Sequence, residues 1–125
     1  MIEQMIGKKF YHITKNDHEL VFICDEGVFI MYHEQDSCED VHIESIVGEL
    51  NELIFAPIVR AEEVITRGEK DPNDEYADDS VTHTFYKLAT RKGYVDIRWV
   101  GLSNGYYSES VDIDFRPFAK EEEEQ

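Results

Sequence analysis

Hydrophobic and polar residues alternate over most of this chain, as they do in strands with one face buried in a core. The alternation is clearest where β-branched and aromatic residues are dense, as in residues 81–90. It predicts strands over residues 8–15, 19–24, 28–32, 38–44, 58–66, 81–90, 94–100 and 106–115. Because short Gly- and Asn-containing turns separate several of them, we expect antiparallel pairing. The second and third strands should form a hairpin, and the last three a meander.

One segment has helical rather than strand-like spacing. In residues 46–55 the hydrophobic side chains recur every three or four positions, Ser45 is a suitable N-cap, and Pro57 ends the segment. The predicted fold class is therefore α+β, predominantly β, with antiparallel meander sheets and one short helix packed on a face.

A length of 125 residues suits a single domain, which we place at residues 1–118. Residues 119–125 include four consecutive glutamates and predict an acidic disordered tail. Residues 68–80 hold six acidic residues and predict a long loop. Within this loop, residues 71–76 superficially resemble a calcium loop but lack its central glycine and closing glutamate.

The chain has 28 Asp and Glu residues against 12 Lys and Arg, a formal net charge of −16. This charge repels phosphate and anionic lipid, so direct binding to nucleic acid or a membrane is not expected, whereas a basic partner is favoured. An alternative is that the acidity serves only solubility. Two cysteines, no secretion-type start and no apolar run of about 20 residues predict a cytoplasmic protein.

The candidate chemistry is concentrated in residues 31–44, which hold two histidines, one cysteine and five carboxylates. His33, Cys38 and His42 are weak candidates for metal ligands, because they lack the paired spacing of zinc modules. Cys38 beside a histidine could also act as a nucleophile, but the neighbouring carboxylates disfavour the thiolate. We therefore predict no cofactor and no catalytic residue, and an enzymatic role is the less favoured one.

Several segments carry a family resemblance. They are the motif Tyr-His-Glu-Gln-Asp-Ser-Cys-Glu at 32–39, Thr-Phe-Tyr-Lys at 84–87, Asp-Ile-Arg-Trp at 96–99 and Ser-Asn-Gly-Tyr-Tyr-Ser-Glu-Ser-Val at 103–111. Together they resemble a family of small uncharacterised phage and prophage proteins. In that family the position of Ser37 is often occupied by a second cysteine. This chain therefore lacks one of the two thiols that a site built on both cysteines would need. The resemblance implies a phage or prophage origin and the cytoplasm of a bacterial host, but no activity.

These observations favour a non-enzymatic accessory protein that binds a host protein with a basic surface, for example as an inhibitor or nucleic-acid mimic. We expect one patch formed by two distant segments, with partner-binding residues His33, Gln35, Asp36, Cys38, Glu39, Asn104, Tyr106 and Tyr107. The alternative is a small-ligand or metal-dependent activity centred on His33, Cys38 and His42.

Overall fold

The computed structural model describes residues 1–69 and 80–119. Its regular elements are eight strands and two short 3₁₀ turns. In chain order they are a 3₁₀ turn at Ile2–Met5, β1 Phe10–Asn16, β2 Glu19–Cys24, β3 Gly27–Tyr32, β4 Asp40–Val47, a 3₁₀ turn at Leu50–Leu53, β5 Arg60–Glu69, β6 Ser80–Thr90, β7 Gly93–Ser103 and β8 Asp112–Pro117.

The strands form two four-stranded antiparallel sheets. The first sheet has the order β1-β2-β3-β8 and the second the order β4-β7-β6-β5. The predicted hairpin of β2 and β3 is confirmed at the centre of the first sheet. The chain therefore builds the whole second sheet before its last strand returns to the first.

A single hydrophobic core lies between the two sheets. Phe22 and Phe29 enter it from the first sheet, and Tyr86, Ile97 and Trp99 enter it from the second. Burial alternates residue by residue along β3 and β6, which is why the period-two pattern of the sequence identified these strands.

The α+β fold class and the helix predicted over residues 46–55 are wrong, because the described chain holds no α-helix. Ile46 and Val47 instead end β4 and pair with β7. Gly48 follows with φ +99°, outside the helical region, and only Leu50–Leu53 turns, as a short 3₁₀ segment. A strand end followed by a 3₁₀ turn thus reproduced the spacing of an amphipathic helix.

The meander predicted for the last three strands is also wrong. β6 and β7 pair as expected, but the last strand begins at Asp112 rather than at residue 106, and it pairs with β3 of the first sheet. Residues 104–111, called the crossing segment below, carry the chain from one sheet to the other. The Asn104-Gly105 turn is present, with Gly105 at φ +89°, but it does not close a hairpin.

The two acidic segments fall largely outside the described residues. Of the loop predicted over 68–80, Gly68 and Glu69 belong to β5 and Ser80 begins β6, while residues 70–79, with the calcium-like stretch, are outside. Of the tail predicted over 119–125, residues 120–125 are outside. Neither helical segment of the described chain is long and apolar enough to cross a membrane.

Candidate functional site

The pairing of β3 with β8 brings the two predicted binding segments to the same end of the first sheet. Tyr32, the last residue of β3, lies opposite Asp112, the first residue of β8. Residues 33–39, called the polar loop below, leave β3 at the point where the crossing segment enters β8. The backbone N–H of Glu34 donates to the Asp112 carboxylate at 3.0 Å. Residues about 80 positions apart therefore become neighbours through strand pairing.

His33 connects the two segments directly. Its Nδ1 lies 2.7 Å from the carbonyl oxygen of Ser110, and its Nε2 lies 2.7 Å from Oε2 of Glu39. The histidine side chain is only 4% exposed and the glutamate side chain is fully buried. A carbonyl oxygen and a carboxylate oxygen are thus placed within hydrogen-bond distance of the two ring nitrogens of His33.

Glu39 organises the polar loop around its carboxylate. It accepts hydrogen bonds from the backbone N–H of Asp36 at 2.8 Å and of Ser37 at 2.7 Å, besides the contact with His33. Burial, the largest influence, acts to raise the pKa of Glu39, but the hydrogen bonds from His33 and from the backbone outweigh it and lower the pKa to about 2.

This lowered pKa predicts an acid-dependent loss of stability. Glu39 has an ordinary pKa of 4.5 in the unfolded chain, so the unfolded state binds more protons as the pH falls toward 2. The stabilisation is present above about pH 5 and is lost between about pH 5 and pH 2. We expect Glu39→Gln to unfold with about one fewer proton taken up over this range than the wild type, measured from urea midpoints against pH.

Glu34→Gln is the matched control, since it removes a carboxylate from an exposed position in the same loop. Comparison of the two variants separates the loss of the hydrogen-bonded carboxylate from the change in net charge. Equal pH profiles for the wild type and Glu39→Gln would contradict the role assigned to Glu39.

Two further predicted residues also bond to the backbone around them. The Gln35 side-chain amide donates to the carbonyl oxygens of Ser37 at 2.9 Å and Glu39 at 2.7 Å. Oδ1 of Asn104 accepts from the backbone N–H of Tyr106 at 2.9 Å and fixes the turn. With His33 and Glu39, these side chains help to fix the backbone of the two segments.

The other four predicted residues lie on the outside. Asp36 and Cys38 are exposed in the polar loop, and Tyr106 is 87% exposed in the crossing segment. Tyr107 is half-buried, and its ring centroid lies 6.0 Å from that of Tyr106. Gln35 and Asn104 are exposed as well, so six of the eight predicted residues are at least partly accessible, and their role in binding stays a prediction.

A second buried carboxylate, which the sequence reasoning missed, anchors the crossing segment to the second sheet. Glu109 is 7% exposed and accepts hydrogen bonds from Thr82 Oγ1 at 2.6 Å, from Ser80 Oγ at 3.1 Å, and from Ser103 Oγ. The backbone of Glu109 packs directly on Gly101. A glycine in the middle of a strand signals such a close approach and was the available clue.

The family match spans both of these segments. A family model described as a domain of unknown function, DUF7448, matches residues 3–113. The chain belongs to the DUF7448 family. No curated protein and no solved structure matches it significantly. The predicted membership of a family of unknown function is thereby confirmed, whereas the phage or prophage origin stays a prediction.

The metal candidates of this DUF7448 chain are not brought together. Both ring nitrogens of His33 have partners within the protein, and Nδ1 of His42 lies 3.0 Å from Asp40 Oδ1. Across residues 1–69 and 80–119, no group of three or more His, Cys, Asp and Glu side chains could hold a metal ion. No described contact therefore favours the alternative activity centred on His33, Cys38 and His42.

Two clefts of the DUF7448 chain lie outside the polar loop, and the second of them reaches Val111, the last residue of the crossing segment. One, of about 450 Å³, lies between the β1–β2 turn, β4 and the chain around Gly48. The other, of about 550 Å³, lies between the N-terminal 3₁₀ turn, β5 and β8. None of the eight predicted partner-binding residues lines either cleft. The predicted residues lie outside both clefts, and exposed side chains outside a cleft suit contact with another macromolecule better than enclosure of a small substrate.

Proposed function

We propose that this DUF7448 chain is a non-enzymatic protein-binding module. Its partner-facing surface includes the exposed side chains of Asp36 and Cys38 in the polar loop and of Tyr106 in the crossing segment, together with the half-buried Tyr107. The partner is a host protein with a basic surface, and the resemblance to phage and prophage proteins supports a bacterial host. Inhibition of the partner, including by mimicry of nucleic acid, is a special case of the same interaction.

The observation that carries the proposal is the contact of His33 with both Glu39 and Ser110. The bond to Ser110 ties the polar loop to the crossing segment, and the bond to the buried Glu39 carboxylate holds the imidazole in place, so the exposed residues around these bonds have fixed positions. A surface held in its bound conformation loses less entropy on association than a flexible one. A loop that is only exposed to solvent does not need hydrogen bonds such as those of His33 with Glu39 and Ser110.

Charge and side-chain chemistry support a basic protein as the partner. The net charge of −16 speeds encounter with a positive surface and opposes encounter with nucleic acid. Tyr106 combines a large apolar ring with a polar hydroxyl and is 87% exposed, which is the property of tyrosines that dominate interface energies.

We expect Tyr106→Ala to weaken binding of the partner by about 30-fold, the effect of losing an interface hot spot. The matched control is Tyr94→Ala, which removes another exposed tyrosine at the opposite end of β7, about 30 Å away. The partner is first captured from a bacterial extract with the wild-type chain and identified. The dissociation constants of the three purified chains are then measured by calorimetry.

A charge reversal in the polar loop tests whether both segments belong to one surface. Asp36→Lys should weaken binding of the same partner, since Asp36 is exposed beside the bonds that fix the loop. Full affinity of both Asp36→Lys and Tyr106→Ala would refute the proposal, and so would an equal loss with Tyr94→Ala.

A further inference from the structure

β5 is an unusually long and exposed edge strand. It spans ten residues, Arg60–Glu69, and among the described strands it pairs with β6 alone. Val64 is 40% exposed and Ile65 is 47% exposed. Because consecutive residues of a strand point to opposite faces, this part of β5 extends past the core on both sides.

The charges on β5 do not protect it against a second copy of itself. Charged side chains on an edge strand usually prevent it from pairing with a strand of another molecule. Here Glu63, Ile65 and Arg67 are spaced by two and share one face, so that face carries both signs around an apolar centre. Antiparallel pairing of two copies about Ile65 places Glu63 of each copy opposite Arg67 of the other.

The neighbouring registers lack this complementarity. A two-fold axis perpendicular to the sheet requires one residue to lie opposite itself. An axis at Val64 places Glu63 opposite Ile65, and an axis at Glu63 places two like charges together. The axis at Ile65 also places Val64 of each copy opposite Thr66 of the other, which is a favourable β-branched pair.

We infer that two copies of this chain associate through their β5 strands in antiparallel register about Ile65, joining their second sheets into one eight-stranded sheet. The interface is a single strand pair and therefore belongs to the small, reversible class. The net charge of −16 on each chain opposes association until salt screens it. None of the β5 residues that form the interface belongs to the polar loop or the crossing segment.

The test is a reciprocal charge reversal followed by sedimentation equilibrium at about 0.5 M salt, where the screening length is only a few ångströms. We expect the wild-type mass to rise with concentration toward twice the 14.6 kDa of one chain. Glu63→Arg alone and Arg67→Glu alone should each remain monomeric, because each places like charges opposite one another. An equimolar mixture of the two variants should form a heterodimer, since both cross-strand pairs are then attractive.

Two matched controls reverse charges elsewhere on the same strand. Glu62→Arg lies opposite Gly68 of the second copy, and Arg60→Glu lies beyond the paired residues, so both should dimerise like the wild type. A wild-type chain that stays monomeric at millimolar concentration would overturn the inference. A mixture of the reciprocal variants that stays monomeric would do the same, as would loss of dimerisation in Glu62→Arg.

Discussion

Replacing Glu109 by alanine is expected to lower the free energy of unfolding by about 3 kcal/mol, because three hydroxyl donors lose their acceptor and buried unsatisfied donors cost about 1–3 kcal/mol each. Thr82 is 3% exposed and Ser103 is 5% exposed, so water cannot replace the carboxylate at these two hydroxyls. Urea unfolding at neutral pH measures the change, with Ser108→Ala in the same segment as the exposed control.

A second substitution identifies the cause of this loss. If the destabilisation comes from orphaned hydroxyls, Thr82→Val should be unfavourable in the wild type but favourable in the Glu109→Ala background, where the hydroxyl has no partner. Glu109→Gln keeps one acceptor oxygen and should cost about 1 kcal/mol. Additive effects of Thr82→Val and Glu109→Ala would mean that the loss of packing, rather than the hydrogen bonds, explains the result.

The sequence predicted the strands better than their partners. Alternation and turn residues placed β2 and β3 correctly and made them a hairpin, because both signals are local. The segment 106–115 has the same alternation, yet its strand crosses to the other sheet. A period of two shows which residues face the core but carries no information on which strand lies alongside.

The false helix at 46–55 has a similar physical origin. Leu50 and Leu53 face the core from a 3₁₀ turn, and Ile46 packs on the core from the end of β4. The helix-like spacing of these hydrophobic residues therefore arose from a strand end followed by a 3₁₀ turn. Gly48 was the residue in this segment that disfavoured a helix. In the structure a Cβ at this position would lie 2.5 Å from the carbonyl oxygen of Tyr94. Helix propensity alone treats one glycine as tolerable and gives no information on the close contact of Gly48 with the backbone of Tyr94.

For the site, sequence reasoning found the right segments but misjudged several roles. His33, Gln35 and Glu39 stood out because polar residues of that density suggest a function, whereas in the structure they bond to the backbone of their own loop and to Ser110. Glu109 lies between two serines in the predicted strand 106–115, and no sequence pattern singled it out. Only the tertiary structure shows that the chain passes over Gly101 and buries this carboxylate among hydroxyls.

The same close approach gives the last prediction, which links the core of the second sheet to the proposed binding surface. A Cβ on Gly101 would lie 2.6 Å from Cβ of Glu109 and 2.7 Å from its carbonyl oxygen, well inside contact distance. We expect Gly101→Ala to push the crossing segment outward and to destabilise the protein by about 1–3 kcal/mol, the usual range for overpacking.

Because Ser110 accepts the hydrogen bond from His33, the displacement should also loosen the polar loop. Amide hydrogen exchange should therefore become faster at Asp36 and Ser37, whose N–H groups bond to Glu39, and affinity for the captured partner should fall. Gly68→Ala in β5 is the control, since its Cβ would meet nothing closer than 3.7 Å. If Gly101→Ala destabilised the protein but left amide exchange in the polar loop unchanged, the polar loop and the crossing segment would be energetically independent. The proposal that they form a single binding surface would then be wrong.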